Sequence, residues 1–565
     1  MKALSVGWTL STLYPKNKQE GFAPKCRIKG PMWERGTQAL GVWVVAGVVA
    51  CGSTGSHGAV GAGGNGVAQA GSTSGGGAGT AGSVGGDVAA GVGNVAGDVG
   101  MPGDCSQAVA AKDGAVLSAI SPQPSAYVSD VVAGCDGSFV VTGEAPRGIT
   151  FDRADGTKLA LADAALWIAK LDAQNKLVWA NAIPEGVSDD SVWAYPSLFP
   201  DGSVVVGGVF GTSATFGQGQ PNETTLTTLG ARLDGFIARY EADGTFAWVT
   251  QLGPAGAAWV SGIAAGPNGV TYVAVLSNNL PGFTLAPGTL DLKLKGGDWA
   301  IAKLDATGAF VAATAGTVAE PYPMKVLPAA DGGVLVAGRH GLNAQIGVGQ
   351  AGAVTLSGAL FLAHFDDGLQ LGWARQVPIP TYASGSALLP DGSGVFVGIF
   401  SRTYTAGAGE PNEITFTKHG VDMDGYVTRL DAQGKLAWAA QLASPNDVFV
   451  DRVAALPDGS VWVAGNFGDA GGKPSMLVLA PDTPNAPTLS ANGLSYFVAR
   501  FSPQGEPLWA SQLESEGLLH TEGLAASAGS LVAVGTFNGS ASFGSAAHQL
   551  TAKSSPSTFF LRLGP

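Results

Sequence analysis

From residue 113 onward, apolar and polar positions alternate in short runs that are broken by Gly, Asp and Asn. Period-two alternation punctuated by turn residues predicts β-strands joined in hairpins. The turn dipeptides recur: Asp136-Gly137, Asp201-Gly202, Asn268-Gly269, Asp331-Gly332, Asp391-Gly392, Asp458-Gly459 and the weaker Ala528-Gly529, at intervals of 65, 67, 63, 60, 67 and 70 residues. Each is followed by a strand of small and aliphatic residues, as in SVVVGGVFG (203–211) and SVWVAGNFG (460–468). A second hairpin follows in each copy, with a strand such as GFIARYEA (235–242) or GYVTRLDA (425–432), a turn, and a strand bearing Trp179, Trp248, Trp373, Trp438 or Trp509. Two-residue Asp-Gly turns and four strands per repeat match one blade of a propeller with a long internal loop.

The seventh copy stops after its third strand, at Pro565. Residues 113–120, DGAVLSAI, align with the Asp243-Gly244 turn and the FAWVTQL after it, which places Ser118 where most blades carry Trp. The expected fold is therefore all-β: a seven-bladed β-propeller over residues 104–565 whose N-terminal strand closes the last blade and removes an open sheet edge. The repeat DGFIARYEADGTFAWVTQL resembles the SBBP-type β-propeller repeat of bacterial secreted and surface proteins, over residues 113–565. A second resemblance, through LDAQNKLVW (171–179) and LDAQGKLAW (430–438), is to pyrroloquinoline-quinone-type propeller repeats. That likeness implies a segment that locks blades together and does not bind the quinone.

Residues 39–50, ALGVWVVAGVVA, have the length of a signal-peptide core and are too short to span a membrane. Val48-Val49-Ala50-Cys51 resembles the bacterial lipobox, which implies a signal peptide region over residues 1–50 and lipidation of Cys51, and because residues 1–31 are longer than an ordinary basic leader, Met32 reads as the true start. Residues 52–103 hold 20 Gly and no Lys, Arg or aromatic residue. With too little apolar surface to offset the entropy of ordering, residues 51–103 read as a lipidated Cys and a disordered Gly-rich tether. The expected location is the cell envelope, at the outer membrane or cell surface.

Net charge is −13, and residues 1–50 contribute seven basic and two acidic side chains, so the remainder is more acidic still. Such a surface repels phosphate backbones and excludes nucleic acid as a partner. The six His fall in no zinc spacing, and neither a nucleophile elbow nor a phosphate-binding loop occurs, so no metal, cofactor or catalytic residue is implied.

Some positions carry candidate chemistry. Cys105 and Cys135 remain as a disulfide pair in an oxidising compartment, or as two free thiols. Pro221-Asn222-Glu223 and Pro411-Asn412-Glu413 recur 27 residues before Trp248 and Trp438. Asn222, Glu223, Asn412 and Glu413 are ligand-loop candidates with the oxygen chemistry of cation or sugar sites, unless blade duplication alone explains them. One cation or imidazole recurs in every third strand: Lys170, Arg239, Lys303, His364, Arg429, Arg500 and Arg562. These either pair with acids such as Asp234, Asp298 or Asp424 between blades or form an anion-binding ring. The Trp series reads as packing between blades before it reads as a sugar platform.

The functional expectation is a lipid-anchored, monomeric binding or scaffold module for a protein or glycan. The alternative is a propeller enzyme, a quinone-dependent dehydrogenase or a glycan lyase, with its site over the central channel. A channel mouth lined by carboxylates, His and Arg would favour the enzyme, and a Gly/Ala/Ser-lined channel would favour binding.

Overall fold

The computed structural model describes residues 116–564, apart from 123–125, 163, 186–191, 230–232, 253–257, 278–282, 296, 318–324, 340–342, 358–359, 378–381, 421–422, 457, 470–471, 518, 528–529, 544 and 553–555. The chain divides into two units, residues 1–92 and 93–565. The first unit, and with it the expected signal region, Cys51 and most of the tether, lies outside the described residues.

Seven four-stranded antiparallel sheets follow one another along the second unit. Blade 1 comprises Tyr127–Ala133, Phe139–Ala145, Ala164–Leu171 and Leu177–Ile183, paired in that order. Blades 2 to 6 repeat this order from innermost strands that begin at Trp193, Ala258, Lys325, Tyr382 and Val448. Blade 7 supplies Leu519–Ser527, Ser530–Phe537 and Ser557–Leu563, and its outermost strand is Val116–Ile120 from the other end of the chain. Ser118 stands opposite Arg562, just as Trp179 stands opposite Lys170 in blade 1, so the alignment drawn from sequence holds residue for residue. Innermost strands touch in all seven successive blade pairs, blade 7 to blade 1 included, so the ring is closed. Among the described residues, helix is confined to one 3₁₀ turn at Pro267–Gly269.

Two expectations need correction. The Asp-Gly turns are three-residue loops: in blade 1 the Gly134 N–H donates to Ser138 O (2.7 Å) and the Gly137 N–H to Gly134 O (3.0 Å). Gly137 alone takes a left-handed φ, +80°, as in a type I turn followed by a left-handed Gly. The aspartate explains the choice, because Asp136 Oδ1 accepts the Ser138 N–H (2.9 Å) and hydroxyl (2.6 Å) and holds the turn before the Gly. Asp201, Asp391 and Asp458 repeat those bonds with Ser203, Ser393 and Ser460. Second, the long loop between the second and third strands is itself a hairpin in every blade. In blades 4, 6 and 7 this hairpin pairs with the outermost strand of the preceding blade, which makes six-stranded sheets and covers an otherwise open edge.

The blades are fastened by the recurring cations, though with partners other than those expected. Arg239, His364, Arg429 and Arg500 pair with the turn aspartates Asp201, Asp331, Asp391 and Asp458 of their own blades. Asp234 and Asp424 instead accept from the side-chain amides of Gln251 (2.7 Å) and Gln441 (2.6 Å), while Asp298 accepts the Lys295 N–H (2.8 Å). The chain direction explains this: each cation lies at the end of its strand nearest the Asp-Gly turn, and Asp234, Asp298 and Asp424 lie at the start. The same cations then reach the following blade, Lys170 donating to Gly202 O (3.1 Å), Arg429 to Gly459 O (3.0 Å) and Arg562 to Gly137 O across the ring closure. Lys170, Arg429 and Arg562 are thus clamps between blades, Lys303 pairs with Asp367 of the next blade, and every recurring cation or imidazole has a protein partner, so the anion-ring alternative has no free set of cations to rest on.

The outer tryptophans act at the same seams. Trp179, Trp248 and Trp438 donate their indole N–H to Ala242, Ala306 and Pro503 carbonyls of the next blade, at 3.0, 2.9 and 2.9 Å. Ser118 makes the corresponding link from blade 7, accepting from Asn175 Nδ2 at 2.8 Å. Gly244 is required beneath Trp179, since a Cβ there would lie 2.7 Å from the indole and its φ is +87°. Cys135 is disulfide-bonded; Cys105, its expected partner, lies outside the described residues.

Candidate functional site

Strand direction separates the two faces of the ring. One carries the turns inside each hairpin, and the other carries the inserted hairpins and the crossings from outermost to innermost strand. On this second face, six register-equivalent positions near the start of the innermost strands are all aromatic or imidazole: Tyr127, Trp193, Trp259, Tyr382, Phe449 and His520. Innermost strands line the channel, so Tyr127, Trp193, Trp259, Phe449 and His520 stand around its mouth as a collar, and Tyr382 shares their register position. Trp193 and Trp259, on neighbouring blades, meet edge to face at 5.5 Å, and Tyr127 keeps 38% of its surface exposed.

Beneath the collar, five innermost strands carry a β-bulge at one shared level. The register shifts between Val128 and Asp130, Val260 and Gly262, Ala383 and Gly385, Val450 and Arg452, and Thr521 and Gly523. The inserted residues are therefore Ser129, Ser261, Ser384, Asp451 and Glu522. A bulge resets the alternation and re-aims a side chain, which is why bulges collect beside functional sites. Here they set hydroxyls on blades 1, 3 and 5 and carboxylates on the adjacent blades 6 and 7.

The carboxylates sit in a charged cluster. Arg452 Nε donates to the Glu522 carbonyl (2.7 Å), its Nη2 lies 3.5 Å from Glu522 Oε2, and His520 Nδ1 lies 3.1 Å from Glu522 Oε1. Asn466 Nδ2 donates to Asp451 Oδ2 at 3.4 Å. The Arg452, Glu522 and His520 side chains retain 31%, 32% and 54% exposure, so a ligand entering the mouth can reach them.

Environment drives the two carboxylates apart. Burial raises Asp451, reinforced by the Glu522 charge and only partly offset by Arg452 and His520. Burial acts on Glu522 in the same sense, but the His520 hydrogen bond and the His520 and Arg452 charges outweigh it and hold this carboxyl below its ordinary range. His520 is raised, first by its bond to Glu522, against the opposing effect of burial. Burial pushes Tyr195 up to about 12. The result is two carboxyl groups shifted in opposite directions beside an imidazole whose proton affinity is raised.

A second acidic pair lies on this face at the seam of blades 1 and 2. Glu144, opposite Tyr127 in the ladder, accepts the Val192 N–H at 3.0 Å. Burial pushes it up to about 7, and burial together with the Glu144 charge pushes Glu185 up to about 8. A carboxyl raised on folding stabilises the protein fully below its unfolded value of about 4.5 and loses that contribution as pH rises through the folded value. The turn aspartates Asp136, Asp201 and Asp331 have the opposite sign: hydrogen bonds outweigh burial and lower them, so their contribution fades only as pH falls below about 4. Thermal melts should therefore show greatest stability near pH ~5 and a decline toward pH ~9. A Glu144→Gln, Glu185→Gln variant should flatten that decline, and an unchanged slope in it would assign the decline elsewhere.

The loop candidates lie elsewhere. Asn222, Glu223, Asn412 and Glu413 are exposed at the tips of the inserted hairpins of blades 2 and 5. Glu223 Oε2 accepts the Gly219 N–H (2.7 Å) and Glu413 Oε2 the Gly409 N–H (2.5 Å), while Asn412 Nδ2 donates to Leu436 O (3.1 Å). The Asn222 carbonyl accepts the Thr224 hydroxyl (2.9 Å). The fold places the two motifs three blades apart, closes each hairpin through its Glu, and ties Asn412 to the outermost strand of its own blade. No group of three metal-ligating side chains occurs among the described residues.

Sequence reading missed the collar, although it leaves a signal. An aromatic residue or His precedes each recurring turn by eight or nine positions, and Tyr322, outside the described residues, extends the series to seven. The channel criterion returns a divided answer: carboxylates, His and Arg on blades 6 and 7, Ser and Gly on blades 3 and 5.

No family model and no curated protein matches the chain. Among solved structures, it is similar to virginiamycin B lyase from Staphylococcus aureus, at 11% identity over 79% of this chain and 98% of that one, with a TM-score of 0.35. It is similar also to a protein of unknown function from Dyadobacter fermentans (12% identity, 67% and 98% coverage, TM-score 0.31) and to an ulvan lyase (9% identity, 70% and 95% coverage, TM-score 0.31). None of these likenesses assigns a function; the propeller itself stands on the sheet order and ring closure of this chain.

Proposed function

We propose that the chain is a cell-envelope propeller, anchored through Cys51, that binds a glycan at its channel mouth. The observation that carries the reading is the aromatic collar over a ring of bulge hydroxyls and carboxylates. Aromatic faces take the apolar faces of sugar rings, and carboxylates, hydroxyls and Arg452 take their hydroxyl groups, the usual division in a small-ligand site. The test has two arms. Cys51→Ala should move the protein from the membrane to the soluble fraction, and unchanged fractionation would remove the anchor. Titration calorimetry with the hexaoses of cellulose, chitin, xylan, mannan and β-1,3-glucan should show binding that Phe449→Ala or Glu522→Gln weakens about tenfold. Silence of all five would remove the glycan.

A catalytic reading is favoured by one observation, the opposed protonation preferences of Asp451 and Glu522 on adjacent strands. It requires that the bound hexaose be cleaved and that Asp451→Asn stop cleavage while binding persists. An intact hexaose after prolonged incubation would leave a binding module.

A further inference from the structure

A groove of about 390 Å³ lies on the outer flank of blade 6, where the inserted hairpin of blade 7 joins its outermost strand. It is lined by Asn492, Gln512, Glu514, Glu516, Ser542 and Gln549, with serines, alanines and Leu494 completing the wall. No aromatic, Lys or Arg belongs to it, so it has no pocket for a large side chain and no cation for a phosphate or uronate. It is built already: Gln512 Nε2 donates to Ser495 Oγ (2.8 Å), and Glu516 Oε2 accepts the Ser540 N–H (3.2 Å). Short hydroxyl, amide and carboxylate groups at this density suit an uncharged polyhydroxylated chain.

The position of the groove is as informative as its chemistry. The strand Pro507–Ser515 ends at the groove, and the next strand, Leu519–Ser527, begins at the channel mouth with His520 and Glu522. Groove and mouth therefore open on the same face, at opposite ends of one short crossing. Three inter-strand steps separate outermost from innermost strand, about 14 Å and so about three sugar units.

We infer that the ligand is a linear, uncharged polysaccharide that runs from the channel mouth outward along the crossing between blades 6 and 7 into the flank groove. The inference rests on the channel-mouth glycan reading and adds the polymer, its path and its neutrality. Site length then sets affinity: a disaccharide fills the mouth alone, and a hexaose reaches both ends, linking two weak contacts into one stronger one.

The test is calorimetry on the full mature chain with disaccharides and hexaoses of the same five series, and with hexagalacturonate. The expected result is a hexaose bound about tenfold more tightly than its disaccharide, a ratio that collapses toward one in Glu514→Ala and in Gln549→Ala, and weaker binding of hexagalacturonate than of any neutral hexaose that binds. Glu514 is exposed, so its replacement leaves the core untouched. Equal affinity for disaccharide and hexaose, an unchanged ratio in both variants, or preferred binding of hexagalacturonate would overturn the track and leave the mouth reading standing. Failure of every sugar to bind would overturn both.

Discussion

A fragment beginning at residue 121 should melt at least ~10 °C below one beginning at residue 101, and should aggregate. The shorter fragment lacks Val116–Ile120, the outermost strand of blade 7. Its loss bares the edge of Ser557–Leu563, whose residues are all buried in the intact ring. It also removes the Ser118 to Asn175 link to blade 1 and the Leu117 side chain, which packs against Gly564. An unpaired edge in a ring is worse than one in an open sheet, because both neighbouring seams lose a wall. Deleting residues 52–100 should leave the melting temperature unchanged. Scanning calorimetry of the three proteins decides the matter, and a 121–565 fragment as stable as 101–565 would mean that the closing strand contributes nothing.

Arg429→Ala should cost about 2–4 kcal/mol, more than any surface ion pair would. The Arg429 side chain is 12% exposed and Asp391 is 59% exposed, so the pair itself is screened and most of the loss lies in the other bonds. Its guanidinium donates to Gly459 O (3.0 Å), Pro503 O (3.4 Å) and Ser393 Oγ (3.2 Å), which ties the Asp391 turn of blade 5 to two loops of blade 6. Arg429→Lys retains the charge but not the fork, and should recover only part of the loss. Trp438 donates to the same Pro503 carbonyl (2.9 Å), so Arg429→Ala and Trp438→Phe should be non-additive in a double-mutant cycle. Denaturant unfolding of the wild type and the four variants measures these costs, and a loss below about 0.5 kcal/mol in Arg429→Ala would show the seam to be held by packing alone.

The rest of the ring divides along the same line between local and distant contacts. Strand alternation, turn positions, seven repeats and the missing outer strand were legible because each depends on residues near one another in the chain. Period two sets which face of a strand is buried, and an Asp before a Gly sets the turn. Even the closing strand was recognisable, since it carries the same local pattern as its equivalents. The turn length was misread by one residue, because Asp136 bonds forward to Ser138 and leaves Gly137 alone to take the left-handed φ. The partners of the cations were misread for a different reason. Asp234 stands only five residues from Arg239 in the chain and Asp201 thirty-eight, so nearness in sequence points to the wrong acid, and only the direction of the strands says which of them shares its end of the blade.

What the chain determined by itself was thus the blade, its number and its closure, all consequences of short-range pattern repeated. What only the tertiary structure decided was the channel. The positions of Tyr127, Trp193, Trp259, Tyr382, Phe449 and His520 come from different repeats and share one level only when the ring brings their strands to one axis. The bulges that set Asp451 and Glu522 below them are single extra residues, which alternation in a sequence cannot distinguish from an ordinary break. A site assembled at a symmetry axis takes one or two residues from each repeat, so no single stretch of chain contains it.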